Sequence, residues 1–441
     1  MNRKIIATAL LLSLGLTSTV TACSKNDDSV AESTSEITVS EEITIETTTS
    51  ETIATSEATT KATETTEYVR EYVHGDEGYF SLIDEGYATP IKPQKSGTCW
   101  VCAGSTSMES SYLKMNGEVI SIDETELCDY IYDDDKAEGY YVKPGVDRYD
   151  YGGWAWMISE RLSNGYGDFT IVEACNYEGA SIEEMQEIIR TYGGLNVAVN
   201  DAHQSYVGRF DGYLTLNDSK SDDFDHAVVI VGWDDNFPRE YFVKEASQDG
   251  AWLAQNSGGN AFWDGGYYWI SYDTPFEEQT VFILSDDYDH VAAYDAGATN
   301  FFSTGSTTKT ANVFHDEGDL RAVGLYIPEK NEDVHIYICD ESMGTVLYEQ
   351  KASFEQSGYH VVDLDTPISV KDYSIVVEYS GAAAVEGESW DNVFIEYRVF
   401  ANPGESFVWV NGEWVDISSE DIQETLNIDF VPNNCCIKAL Y

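Results

Sequence analysis

Cys99 stands where a loop broken by Pro90, Pro93 and Gly97 gives way to residues at helical spacing: Trp100, Ala103, Met108, Tyr112 and Leu113, ahead of a stop at Asn116-Gly117. That pattern predicts a helix with the cysteine at its start. At a helix N-terminus, unpaired N–H groups and the positive end of the dipole favour a thiolate, the form in which a cysteine is a nucleophile. Thiol catalysis also needs an imidazole to hold and return a proton, and a third group to orient that imidazole. His226 opens the apolar run Ala227-Val228-Val229-Ile230-Val231, and Asn256 follows Trp252-Leu253-Ala254-Gln255, so each is expected at the end of a strand. Gln94, just upstream of Cys99, is the candidate side-chain donor to a tetrahedral oxyanion, beside the Cys99 backbone N–H. His203 is a poor second choice of base, because it sits in a loop and lacks the following apolar strand.

Two other chemistries compete for Cys99. Cys99-Trp100-Val101-Cys102 is a C-x-x-C motif, which in an exported protein would suit a disulfide oxidoreductase. A thioredoxin-like domain places a strand directly before that motif, whereas a Pro- and Gly-containing loop precedes it here. A zinc site through the same pair finds no second C-x-x-C or H-x-x-x-H to complete it. No metal or organic cofactor is therefore expected. Cys102, one turn into the helix, reads as a buried small hydrophobe.

The elements that must position these residues follow from local signals. Ser181-Ile182-Glu183-Glu184 is a capping box, and Met185, Ile188, Ile189 and Tyr192 continue a helix that Gly193-Gly194 ends. The period then changes to that of strands at Leu195 to Val199, Ala227 to Val231 and Gly266 to Tyr272. Helices first and strands later is an α+β order that suits two packed lobes. Beyond about Asp286 the texture becomes all-β: Val334 to Ile338, Ser374 to Glu378 and Val393 to Val399 alternate at least in part. Val408 to Val415 is a hairpin turning at Asn411-Gly412. A separate sandwich of about 150 residues is expected there. Trp409 and Trp414 are expected in its core, as strand aromatics usually are, although exposed rings could stack on sugars.

Composition bounds the function. The 441 residues carry 79 acidic and 24 basic side chains, a formal net charge of -55, which argues against nucleic acid and against adsorption to anionic lipid. Asn2-Arg3-Lys4, the apolar stretch Ile5 to Leu16 and the small residues before Cys23 read as an export signal. The small residue followed by Cys resembles a bacterial lipobox, implying lipidation of Cys23 and a cell-surface location. From Ser24 to Glu67 the chain is almost wholly Ser, Thr, Glu, Asp and Ala, a composition that reads as an extended tether. Seven cysteines remain after Cys23, an odd number that leaves at least one thiol unpaired within the chain. The expected organisation is a signal over 1–22, a tether over 23–67, an α+β domain over 68–285 and a β domain over 286–441.

Taken together, Gln94 with Cys99-Trp100, Asp225-His226-Ala227-Val228, Asn256-Ser257 with Gly259, and Trp263-Asp264-Gly265-Gly266-Tyr267 resemble the blocks of the papain family of cysteine peptidases, in order. The resemblance covers roughly Ile91 to Tyr272. It implies a helical lobe bearing Cys99, a β-rich lobe bearing His226, and a peptide cleft between them whose wall includes Gly152 and Gly153. Three features depart from the family pattern. Gln94 lies five residues before Cys99 rather than six. The Trp that follows Asn-Ser in the family is Gly258 here, which leaves Trp263 to shield the Asn256–His226 bond. The segment between His226 and Asn256 is longer than in the plant enzymes, with acidic Asp234-Asp235 inside it. A folded inhibitory prosegment, frequent in the family, is also not evident. The later region, with Leu320-Arg321-Ala322-Val323-Gly324, Gly404-Glu405-Ser406-Phe407 and Cys436-Ile437-Lys438-Ala439, resembles the lectin-like β domains appended to bacterial enzymes of this type. The resemblances imply a protein or peptide substrate, with a carbohydrate or surface ligand for the later domain. A surface adhesin on an inactive papain fold is the non-enzyme alternative.

Overall fold

The computed structural model describes residues 74–75, 77–132, 138–200, 207–210, 213–219, 224–257, 266–298 and 300–441. The expected signal, Cys23, the tether, His203, Gly258 and Trp263 lie outside the described residues. No helix among the described residues is long and apolar enough to cross a membrane.

The first region contains helices α1 (Cys99–Asn116), α2 (Glu124–Ile131), α3 (Arg148–Tyr151), α4 (Ala155–Leu162) and α5 (Ile182–Tyr192). Its strands are β1 (Tyr79–Ser81), β2 (Gly139–Val142), β3 (Thr170–Asn176), β4 (Leu195–Val199), β5 (Val207–Phe210), β6 (Tyr213–Leu216), β7 (His226–Asp234), β8 (Ala251–Gln255), β9 (Tyr267–Ser271) and β10 (Glu277–Ser285). The strand β7 is central: it pairs antiparallel with β1, β4 and β8, and all nine of its residues are buried. A strand covered on both faces reads as a continuous apolar run, which is how this one appeared in the sequence.

The helix α1 is buried on nearly every side from Cys99 to Tyr112. It can be so because its side chains are small and their hydroxyls find partners. Ser107 donates to the Gly194 carbonyl at 2.6 Å, Ser110 to the Tyr87 carbonyl at 2.9 Å and Ser111 to the Phe282 carbonyl at 2.5 Å. An unpaired buried hydroxyl would instead cost about 1–3 kcal/mol. Gly117, in the left-handed conformation, closes the helix as its sequence predicts. The capping box of α5 is present in full, with Ser181 and Glu184 each satisfying the other's backbone N–H.

The second region is built on two long antiparallel strands, β13 (Thr308–Ile327) and β16 (Ser357–Tyr379). Around them run β11 (Val291–Ala292), β12 (Asn300–Phe302), β14 (Glu332–Asp340), β15 (Val346–Phe354), β17 (Ala383–Val385), β18 (Trp390–Asp391), β19 (Ile395–Arg398), β20 (Ser406–Val410), β21 (Glu413–Asp416) and β22 (Ile437–Leu440), with the short helix α6 (Ile422–Leu426). Alternation sets its core. Val334, Ile336 and Ile338 of β14 point inward onto Ile375 and Val377, while His335 and Tyr337 stack on the other face. The predicted hairpin at Asn411-Gly412 is formed, with both residues at positive φ. Its tryptophans differ: Trp409 is 39% exposed rather than in the core, while Trp414 is half-buried and packs on the small cluster of Ala311, Cys339 and Val376, the two rings edge to face at 5.2 Å. The pleat dictates that the two cross-strand partners share a face, but not that this face is the covered one.

The two regions are also joined by backbone ladders. The strand β16 continues the sheet onto β3, and β19 pairs with β2 beside the helices. Between these seams lies a buried polar cluster. Lys438 and Asp295, both fully buried, form an ion pair at 2.5 Å, and Lys438 also donates to Asn164 at 2.6 Å. Close by, Tyr140 donates to Glu160, and Glu386 accepts from the Ala296 N–H at 2.7 Å and from Asn434 at 2.8 Å.

Candidate active site

Cys99 is the first residue of α1 and is 6% exposed. The residue before it, Thr98, does not cap the helix. Its hydroxyl is turned back into the loop, where it donates to the Lys95 carbonyl at 2.9 Å and accepts from the Lys95 N–H at 3.0 Å. In contrast, Asp123 caps α2 and Ser181 caps α5. The first-turn N–H groups of α1 are thus left to act on Cys99 and on any anion that forms beside it.

The candidate base is carried by the other lobe. His226 begins β7, opposite Val199 of β4. Pairing of Gln255 with Val229 brings the residue after β8, Asn256, alongside the start of β7. There His226 Nε2 and Asn256 Oδ1 lie 2.8 Å apart. The same Oδ1 accepts the Ser257 N–H at 2.7 Å. A backbone N–H can only donate, so the oxygen is correctly assigned, and Nε2 must carry a proton and donate to it. Nδ1 is then the imidazole atom available for acid–base work. The Asn256 N–H is held in turn by the Gly266 carbonyl at 2.8 Å, and His226 and Asn256 are both buried.

The helix α1, which starts at Cys99, packs directly on β7, which starts at His226. One turn further into both elements, a small cavity is lined by Cys102, Ala103 and Thr106 from α1, Ala227 and Val228 from β7, and Asn256. Lys92 anchors the approach to the nucleophile, forming an ion pair with Glu109 of α1 at 2.8 Å and donating to the Ile122 carbonyl at 2.7 Å. Burial pushes the Cys102 thiol up to about 12, so it is a neutral packing group at ordinary pH.

Gln94 is tied to both neighbours. Its N–H donates to the Ser257 carbonyl at 2.7 Å, its Oε1 accepts from the Ser257 hydroxyl at 2.7 Å, and its Nε2 donates to the Ser96 carbonyl at 2.6 Å. Ser257 thereby couples the Asn256 loop to the Gln94 loop. The sequence alone gave Ser257 no task, although its place next to Asn256 in an Asn-Ser pair was a signal. Gly152 and Gly153 follow α3, and a Cβ on Gly153 would lie 2.5 Å from the Trp100 ring. Only glycine lets this backbone lie flat on the residue after the nucleophile, and Tyr132 fixes it by donating to the Gly152 carbonyl at 2.6 Å. Asn256 thus holds His226, Ser257 joins Asn256 to Gln94, and Gly153 lies on the Trp100 ring next to Cys99.

All seven described cysteines are unpaired and buried. No cofactor is needed for the chemistry that this arrangement can perform, which is nucleophilic attack by sulfur with proton return through an imidazole.

Comparison with known proteins agrees with this geometry. Residues 80–282 match the family described as papain family cysteine protease, and residues 292–441 match the lectin like domain family. Human cathepsin L2 is 27% identical over 209 residues, covering 43% of this chain and 59% of that protein. Digestive cysteine proteinase 3 of Homarus americanus is 25% identical over 201 residues, covering 42% of this chain and 58% of that protein. The chain thus spans less than two thirds of these relatives' length. Among solved structures, the cysteine protease and lectin-like domains of Cwp84, a surface layer associated protein of Clostridium difficile, superpose with a TM-score of 0.67. Identity there is 20%, and the match covers 83% of this chain and 89% of that one, so the likeness is one of fold across both regions.

Proposed function

We propose that this chain, a papain-family cysteine protease domain followed by a lectin-like domain, hydrolyses peptide bonds through Cys99, His226 and Asn256. The observation that carries the reading is the 2.8 Å bond from His226 Nε2–H to Asn256 Oδ1, at the start of the strand on which the Cys99 helix packs.

The chemistry then runs in two halves. The Cys99 thiolate attacks the scissile carbonyl carbon, a C–S bond forms, and the carbonyl π electrons move to oxygen. The N-terminal N–H groups of α1 and, once Nε2 leaves the Ser96 carbonyl, the Gln94 carboxamide donate to that oxygen. As the tetrahedral species collapses, His226 gives its Nδ1 proton to the leaving amine, and a thioester remains. His226 next takes a proton from water, whose oxygen attacks the thioester; collapse releases the carboxylic acid and restores the thiolate–imidazolium pair. Asn256 positions the ring so that Nδ1 faces the sulfur throughout. Half-buried Gly153 offers backbone beside Trp100 on which an extended peptide can pair, with Gly152 held behind it by Tyr132.

The surface location stays part of the proposal. The basic and apolar N-terminal segment, Cys23 as a lipidation site, the tether to Glu67 and the boundary near Asp286 together describe a peptidase held outside the cell by a lipid. Trp409, exposed on its hairpin, supports a sugar or surface ligand for the lectin-like domain.

The test is to treat the protein with an epoxide that alkylates activated thiolates and to map the modified peptide. Labelling confined to Cys99, with peptide hydrolysis lost in step and both absent in Cys99→Ala, is the expected result. Labelling at Cys102, or none together with no hydrolysis, would favour the redox or adhesin alternative.

A further inference from the structure

Away from the cleft, three donors of different chemistry meet where the two domains share a ladder. Glu173 and Cys175 are two apart on β3 and therefore on one face of the sheet. On the partner strand β16, His360 lies opposite Glu173 and Gly358 opposite Cys175. A carboxylate oxygen, the thiol sulfur and an imidazole nitrogen all fall within 4.8 Å of one another. Cys175 Sγ is 2.9 Å from Glu173 Oε1 and 4.0 Å from His360 Nδ1.

The imidazole is prepared as a ligand. Its Nε2 lies 3.0 Å from the Gln356 carbonyl, which can only accept, so Nε2 carries the hydrogen and Nδ1 keeps its lone pair; the sulfur lies 4.0 Å from Nδ1 and 3.9 Å from Nε2, so a turn of the ring aims Nδ1 at a shared ion. A second-shell carbonyl that fixes the tautomer is the usual companion of a metal-bound histidine. The Tyr177 hydroxyl stands beside the sulfur as a further outer partner. On the partner strand Gly358 sits at a φ of 127°, where a Cβ would lie 2.2 Å from the Ala174 carbonyl oxygen, so the two backbones lie in close contact beside Cys175.

We propose that Glu173, Cys175 and His360 bind a zinc-class divalent ion that clamps the papain-family domain to the lectin-like domain. Tetrahedral zinc with sulfur, nitrogen and oxygen ligands sets them about 3.3–3.7 Å apart, against separations of up to 4.8 Å here, so the site closes with side-chain movements of roughly 1–1.5 Å. Thiolate and carboxylate together cancel the ion's two charges, leaving no net charge at a junction where Cys175 is 2% and His360 8% exposed. The mixed sulfur and imidazole set selects zinc or cobalt(II) over magnesium or calcium. On binding, the metal–sulfur bond replaces the Cys175 S–H bond and the proton passes to solvent.

The test is a cobalt(II) titration of the full chain carrying Cys99→Ala, which removes the cleft thiol as a competing ligand. One equivalent should bring up a thiolate-to-cobalt charge-transfer absorption, which Cys175→Ser abolishes. Zinc should raise the Tm of Cys99→Ala and leave that of Cys99→Ala/Cys175→Ser where it was. Glu173→Gln, at a half-buried position, keeps the thiol and covers the case in which Cys175→Ser folds poorly. It should retain the absorption and weaken binding at least about tenfold. No absorption with Cys99→Ala, absorption that survives Cys175→Ser, or unchanged affinity in Glu173→Gln would each overturn the clamp.

Discussion

The cleft and the domain junction both bury polar side chains, but they do so in opposite ways. At the cleft, Cys99, His226 and Asn256 each stand at the end of an element, and short local bonds hold them: Thr98 folds back on Lys95, Ser257 on Asn256, and Asn256 on Gly266. At the junction, groups from distant parts of the chain meet inside the fold: Lys438 pairs with Asp295, Tyr140 donates to Glu160, and the Ala296 N–H and Asn434 donate to Glu386. Groups at element ends can be changed with little loss of packing, whereas groups inside a seam cannot. The cleft is therefore expected to fail in rate with the fold intact, and the junction to fail in stability with the chemistry intact.

Four measurements break or sharpen that contrast. His226→Ala should lower kcat for peptide hydrolysis by about 10³-fold or more while the thermal unfolding midpoint barely moves. A variant that loses activity only because it unfolds would erase the distinction. Lys438→Met leaves the Asp295 carboxylate buried without its cation, and should cost about 3–5 kcal/mol in denaturant unfolding with kcat of the folded fraction unchanged. Lys438→Met with Asp295→Leu should recover most of that loss, and failure to recover would mean that packing rather than charge governs the seam.

Asn256→Ala removes one hydrogen bond to an imidazolium, worth about 1.5–3 kcal/mol, so kcat should fall roughly 10- to 150-fold, well short of His226→Ala. An equal loss in the two variants would make Asn256 a participant in the chemistry rather than a positioning residue. The smallest effect is on pH. Burial pushes the Glu160 carboxyl up to about 8, with Lys438 and Arg161 opposing it, and holds Glu386 well above the usual carboxylate range. Each group binds a proton in the folded chain that the unfolded chain has already lost. The stability they contribute is full below about pH 4.5 and declines as pH rises toward 8. Melting curves from pH 5 to 8 should show that decline, and Glu160→Gln should flatten it.

Much of the α+β core could be read locally. A helix starting at Cys99 and stopping at Gly117 follows from side-chain period and one glycine, and α5 from its capping box. The run after His226 reads as a buried strand because β7 is covered on both faces. The tryptophans of the β20–β21 hairpin could not be assigned to core or surface, since a period of two gives two faces without saying which one is covered. The Gln94–Ser257 bond and the pressing of Gly153 on Trp100 were also hidden, because each joins loops whose meeting depends on the packing of whole lobes.

By itself, then, the sequence determined which elements form and which reactive side chains stand at their ends, because propensity, capping and alternation act over a few residues. Only the tertiary structure decided the rest. The His226 tautomer depends on the approach of Asn256 from the next strand, the bonding of Gln94 on Ser257, and the joining of the domains on ladders between β3 and β16 and between β2 and β19. Contacts between residues tens to hundreds of positions apart leave no periodic trace in a chain; they exist only once burial has brought the segments together.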